Sequence, residues 1–129
     1  MYYWYKTPQY EARLGMEALA LKAHFPAARL LRDTNGQLHW VLTVRSVQGN
    51  PYEVCLTYPQ DFPTHAIQAF VLSPQLTENI PHIYMTRELC LGHSATARTS
   101  AVTIATWTAA WLSAFEFWRA TGEWPEFNS

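Results

Sequence analysis

Cysteine is nearly absent from this sequence. Cys55 and Cys90 are the only two among 129 residues, too few and too far apart for a finger-type zinc site. The basic side chains do not outnumber the acidic ones, nine against ten, so there is no basic surface of the kind that phosphate binding needs. That argues against nucleic acid as a partner. No apolar run approaches the roughly 20 residues of a membrane span. The start, Met1-Tyr2-Tyr3-Trp4-Tyr5-Lys6, lacks the basic and apolar regions of an export signal. The expectation is a cytoplasmic protein with reduced thiols, in which a Cys55–Cys90 disulfide is disfavoured. Repeats, low-complexity tracts and linker-like runs are also missing. The expectation is one domain over residues 1–129, and the 49% hydrophobic content suffices for a core.

What is present is ordered along the chain. Residues 8–24 read as a helix, with Thr7 as a cap, Pro8 at the first helical position and Glu11 complementing the dipole. Tyr10, Leu14, Ala18, Leu21 and Phe25 recur at helical spacing and predict one buried face. A short strand follows over 28–33, and Asn35-Gly36 signals a hairpin. Leu38, Trp40, Leu42 and Val44 alternate with His39, Val41, Thr43 and Arg45, as in a half-buried strand. Tyr52, Val54, Leu56 and Tyr58 alternate again until Pro59, and a fourth strand is expected over 66–72. The fold class is α+β, with four strands in an antiparallel meander.

Periodicity fails from 73 to 99, where Pro74, Pro81 and Gly92 interrupt any regular element. A loop this long in a compact domain is commonly functional. It holds Asn79, His82, Tyr84, Cys90 and His93. A long helix closes the chain over 100–120, capped by Ser100 or Thr99 and ended by Gly122 and Pro125. Ile104, Trp107, Trp111, Phe115 and Trp118 share one face, read here as core packed on the sheet. Cys55, between Val54 and Leu56, reads as scaffold. His24, His39 and His65 are dispersed, and no metal or cofactor is expected.

Several short motifs stand in a telling order: Tyr58-Pro59 with Phe62-Pro63, then Pro81-His82, then Leu89-Cys90-Leu91, then a helix from Thr103-Ile104. Together they resemble the ubiquitin-conjugating fold. In that family the apolar-Cys-Leu turn holds the thioester nucleophile. The family's asparagine after the histidine-proline pair is missing, since Ile83-Tyr84 follows His82 and only Asn79 lies nearby. One long helix stands where the eukaryotic members have further C-terminal helices. Both departures, with Thr121-Gly122-Glu123-Trp124-Pro125, are similar to compact bacterial proteins encoded beside cGAS-like nucleotidyltransferases in CBASS antiphage operons, or in other bacterial ubiquitin-like modules.

The resemblance implies that Cys90 attacks an activated C-terminal acyl group and then yields it to an amine. The acyl donor would be the C-terminus of such a nucleotidyltransferase or of a ubiquitin-like protein. No adenylation motif lies in the chain, so any ATP-dependent activation would occur elsewhere, and the reaction is open to two versions, with or without a separate adenylating enzyme. Each step passes through a tetrahedral oxyanion, so donors near the carbonyl matter. The candidates are main-chain amides around Cys90 and the side chains of His82, Tyr84 and Asn79, with His93 as a base for the amine. Other readings are structural: His82 bracing the loop, Tyr84 packing it, His93 solvated. A protein-binding adaptor or scaffold of the same fold is the alternative function. So is a structural subunit docking through its sheet edge or Tyr2-Tyr3-Trp4-Tyr5.

Overall fold

A computed structural model describes residues 3–92 and 95–125. A 3-10 turn at Trp4–Lys6 leads into α1 (Pro8–His24). Then come β1 (Arg29–Arg32), β2 (Leu38–Arg45), β3 (Pro51–Thr57), β4 (Gln68–Ser73) and finally α2 (Ala101–Thr121). The strands form one antiparallel sheet in the order β1-β2-β3-β4, so the expected meander and its flanking helices are present.

The alternation expected in β2 and β3 decides which face is inside. Leu38, Trp40, Leu42 and Val44 are buried with Tyr52, Val54 and Leu56, and α2 lies against them. Ile104, Ala105, Leu112 and Phe115 of α2 are fully buried there. Burying a side chain such as Leu112 or Phe115 stabilises by about 1.5–3 kcal/mol. Thr108 shares that face, and its hydroxyl is satisfied by donating to the Ile104 carbonyl at 2.7 Å.

Helix ends follow the sequence with one correction. Ser100 Oγ accepts the Thr103 N–H, and Gly122 closes α2 in the left-handed region at φ 82°. Thr7 occupies the cap position of α1, but its hydroxyl donates to the Trp4 carbonyl instead of capping the helix. That bond ties the aromatic N-terminal turn to α1. Trp4 then packs on Phe62 and Tyr58, with ring centroids 4.5 and 5.0 Å away.

The buried face of α1 contains a residue that periodicity does not reveal. Glu17 is 6% exposed, beside fully buried Leu21, while Tyr10, Leu14, Ala18 and Phe25 are partly buried. Its carboxylate accepts the Tyr58 hydroxyl at 3.1 Å and the Ala101 N–H, also at 3.1 Å. Tyr58 in turn accepts from Trp40 Nε1 at 3.0 Å. Burial above all, then the Glu17 charge, pushes the Tyr58 phenol well above its ordinary range. One buried carboxylate thus joins α1, the strand end after β3 and the N-terminus of α2, where a negative group is favoured.

Candidate functional site

The segment between β4 and α2 is tethered at both sides of a tight reversal. Ile83 and Leu89 form an isolated antiparallel bridge. Within it, Tyr84 N–H donates to Glu88 at 2.9 Å and Arg87 N–H donates to Tyr84 at 2.8 Å. Arg87 takes φ 72° to make the reversal, and its guanidinium donates to the Leu76 carbonyl. Gln68 in β4 donates to the Glu88 carboxylate at 3.0 Å. Leu89 is 2% exposed, and its N–H donates to Ala69 at 2.9 Å, docking the small hairpin on the free edge of β4.

The next residue is Cys90. It is half-buried and reduced. Its N–H donates to the His82 carbonyl at 3.0 Å. The same carbonyl accepts from Trp111 Nε1 at 2.8 Å. His82 itself stands in the left-handed region, φ 57°, which a non-glycine residue adopts only where its surroundings hold it. Two hydrogen bonds to one carbonyl supply that restraint. The His82 ring is exposed and faces Trp124, with centroids 5.0 Å apart.

Across the hairpin, the Tyr84 hydroxyl and Cys90 Sγ are 3.5 Å apart. The hydrogen bond with Cys90, and then the sulfur's charge, hold the Tyr84 phenol above its ordinary value. Tyr84 is 53% exposed, so this pair sits at the rim of the protein. Asn79 is exposed on the approach to the hairpin and forms no hydrogen bond with this group. His93, a residue singled out above, lies outside the described residues, as does Tyr2.

Two clefts adjoin the pair, one lined by Cys90 and the other by Tyr84. One, of about 360 Å³, runs between Cys90 and the groove face of α2, where Trp107, Ala110 and Trp111 line it with Trp124 and Pro125. The tryptophan stripe is therefore divided. Phe115 is core, whereas Trp107 and the edge of Trp111 face the groove. The second cleft, of about 510 Å³, lies on the Tyr84 side and is lined by Asp61, His65, Gln68 and Glu88. Asp61 Oδ2 bonds His65 Nδ1 in that wall. The sequence places His65 four residues after Asp61 among prolines, a spacing that gives no hint of a shared wall with Tyr84.

Cys55 lies elsewhere, on the opposite sheet face. Its Sγ is 3.4 Å from Thr57 Oγ1 and 3.7 Å from His39 Nδ1, and His39 Nε2 meets Asp33 at 3.0 Å. Burial pushes the Cys55 thiol up, against a smaller lowering by Thr57. That is the wrong direction for an activated nucleophile. Among the described residues no group of histidine, cysteine and carboxylate side chains is arranged to hold a metal ion. Among the described residues no helix is long and apolar enough to cross a membrane.

A family model described as "Type II CBASS E2 protein" matches residues 17–128. The fold is similar to that of a solved structure titled "A complex of the Vps23 UEV with ubiquitin". The identity is 15% and the TM-score 0.54, over 87% of this chain and 82% of that one. No curated protein matches the sequence.

Proposed function

This chain belongs to the type II CBASS E2 protein family, and from that premise we propose that Cys90 carries the C-terminus of a partner protein as a thioester and passes it to an amine. The observation that carries the reading is the Cys90–Tyr84 pair at a rim open on two sides. A large partner's tail can reach such a sulfur, which a sealed cysteine would not permit.

In loading, the Cys90 thiolate attacks the activated acyl carbon, and the activating group leaves. In transfer, an amine attacks the thioester and Cys90 departs as thiolate. Both steps place negative charge on the former carbonyl oxygen. The Cys90 N–H is already donated to His82, so it does not serve that oxygen in this arrangement. The Tyr84 hydroxyl, 3.5 Å from the sulfur, is positioned to donate to it. The Asp61–His65 pair, in the cleft beyond Tyr84, is suited to attract an ammonium and accept its proton. His93 and Asn79 are further candidates for base and donor. The tail would come from a cGAS-like nucleotidyltransferase of the same defence system, or from a ubiquitin-like protein, in the cytoplasm. Its activation would occur outside this chain, with or without a separate adenylating enzyme.

Co-expression with a type II CBASS nucleotidyltransferase, with and without an adenylating enzyme, tests the reading. The expected product is an adduct on non-reducing gels that disappears with reductant, with neutral hydroxylamine and in Cys90→Ala. A complex of the two proteins with no such adduct, unchanged by Cys90→Ala, would favour the non-catalytic adaptor instead.

A further inference from the structure

After Gly122 turns the chain at φ 82°, the segment 123–125 folds back beside the cysteine loop. Trp124 does three things there. Its ring meets the His82 ring at 5.0 Å and the Trp111 ring at 5.3 Å. It is half-buried although it lies beyond the last helix. With Pro125 it forms the wall of the groove opposite Trp107, beside Cys90. His82 and Trp111 are the two residues whose hydrogen bonds fix the main chain at Cys90. Trp124 therefore touches both sides of that restraint.

The groove's lining is informative in its own right. It consists of Cys90, leucine, alanine, tryptophan and proline, with no charged side chain. A charged residue entering it would lose water without gaining a partner. An apolar residue would bury against three indoles.

We propose that Trp124 is a specificity residue for acyl loading: beside Cys90 it walls a subsite for an apolar side chain near the C-terminal end of the incoming tail. This rests on the thioester reading above, and the test separates the two. The probes are two short synthetic peptide alkyl thioesters, identical except for leucine or aspartate at the residue before the terminal one. Cys90 thiolate attacks the peptide carbonyl, a new carbon–sulfur bond forms, and the old one breaks. The alkyl thiolate leaves and takes up the proton that Cys90 released, so no oxidant or adenylating enzyme is involved.

Wild-type protein is expected to load from the leucine peptide faster than from the aspartate peptide. Trp124→Ala slows the leucine peptide about tenfold, the scale of one lost aromatic contact, and leaves the aspartate peptide nearly unchanged. Trp124→Phe restores most of the leucine preference, and Trp124→Leu does not restore the rate. A thermal melt of each variant accompanies the kinetics, because a general loosening slows both peptides alike. Equal slowing of both peptides, or no slowing, overturns the assignment. Failure of wild-type protein to load from either peptide overturns the thioester reading and this inference with it.

Discussion

The Tyr84 hydroxyl and Cys90 Sγ, six positions apart in sequence, approach to 3.5 Å across the hairpin, with one cleft lined by Tyr84 and another by Cys90. If this hydroxyl supports the charged oxygen, Tyr84→Phe should keep the fold and slow transfer by about 10-fold to 100-fold, below the loss seen for a fully enclosed donor. Single-turnover discharge of a loaded thioester to free lysine measures it. The pair also makes a prediction in the opposite direction. The sulfur raises the Tyr84 pKa, so Cys90→Ala should lower the pH at which Tyr84 ionises. Tyrosine-labelled NMR across alkaline pH reads that shift.

The His82 carbonyl is the acceptor for both Cys90 N–H and Trp111 Nε1. Trp111→Phe removes the indole donor while leaving an aromatic ring against Phe115. The lost bond should cost about 1 kcal/mol, and the larger effect should be local. Hydrogen exchange at the Cys90 amide should accelerate more than exchange in the middle of β3.

Glu17 is a buried carboxylate that accepts from two distant parts of the chain. Glu17→Ala leaves the Tyr58 hydroxyl and the Ala101 N–H buried without acceptors, at a cost of about 2–4 kcal/mol. Glu17→Gln keeps an acceptor and should cost less. Urea denaturation of the two variants gives the comparison.

Acid stability has a worked sign. The Asp33 carboxyl is held below its ordinary pKa, first by the His39 hydrogen bond and then by the Gln37 N–H. Burial tends to raise Glu116, but hydrogen bonds from Tyr52 and Asn50 outweigh it and lower its pKa. A folded-state pKa below the unfolded one adds stability above the ordinary carboxylate range of about 4, and that stability is lost as pH falls through the folded value. Melting temperature should therefore decline on acidification. Glu116→Gln should lower it at neutral pH and flatten the decline. A steeper decline in the variant would contradict the assignment.

Much of the architecture was legible because it rests on local signals. Pro8 and Gly122 mark helix ends by backbone preference, and alternation in β2 and β3 marks the inner face. The fold class follows from those elements and from the motif order around Cys90. Long-range roles were hidden. Glu17 meets Ala101 across 84 positions, and a lone glutamate on a helix carries no sign of such a partner. The His82 contribution is a main-chain carbonyl, which any residue possesses. The tryptophan spacing in α2 identified a shared stripe, but spacing cannot tell a ring packed on the sheet from one facing a groove. Only the return of Trp124 after Gly122 creates that groove.

The most direct test is peptide mass mapping of the protein purified under non-reducing conditions at mildly acidic pH after co-expression with a type II CBASS nucleotidyltransferase, with and without an adenylating enzyme. The account predicts the partner's C-terminal residue joined to the sulfur of Cys90, and no such species in Cys90→Ala. Recovery of the partner's tail on another residue, or an unmodified Cys90 while conjugation to targets proceeds, would contradict it.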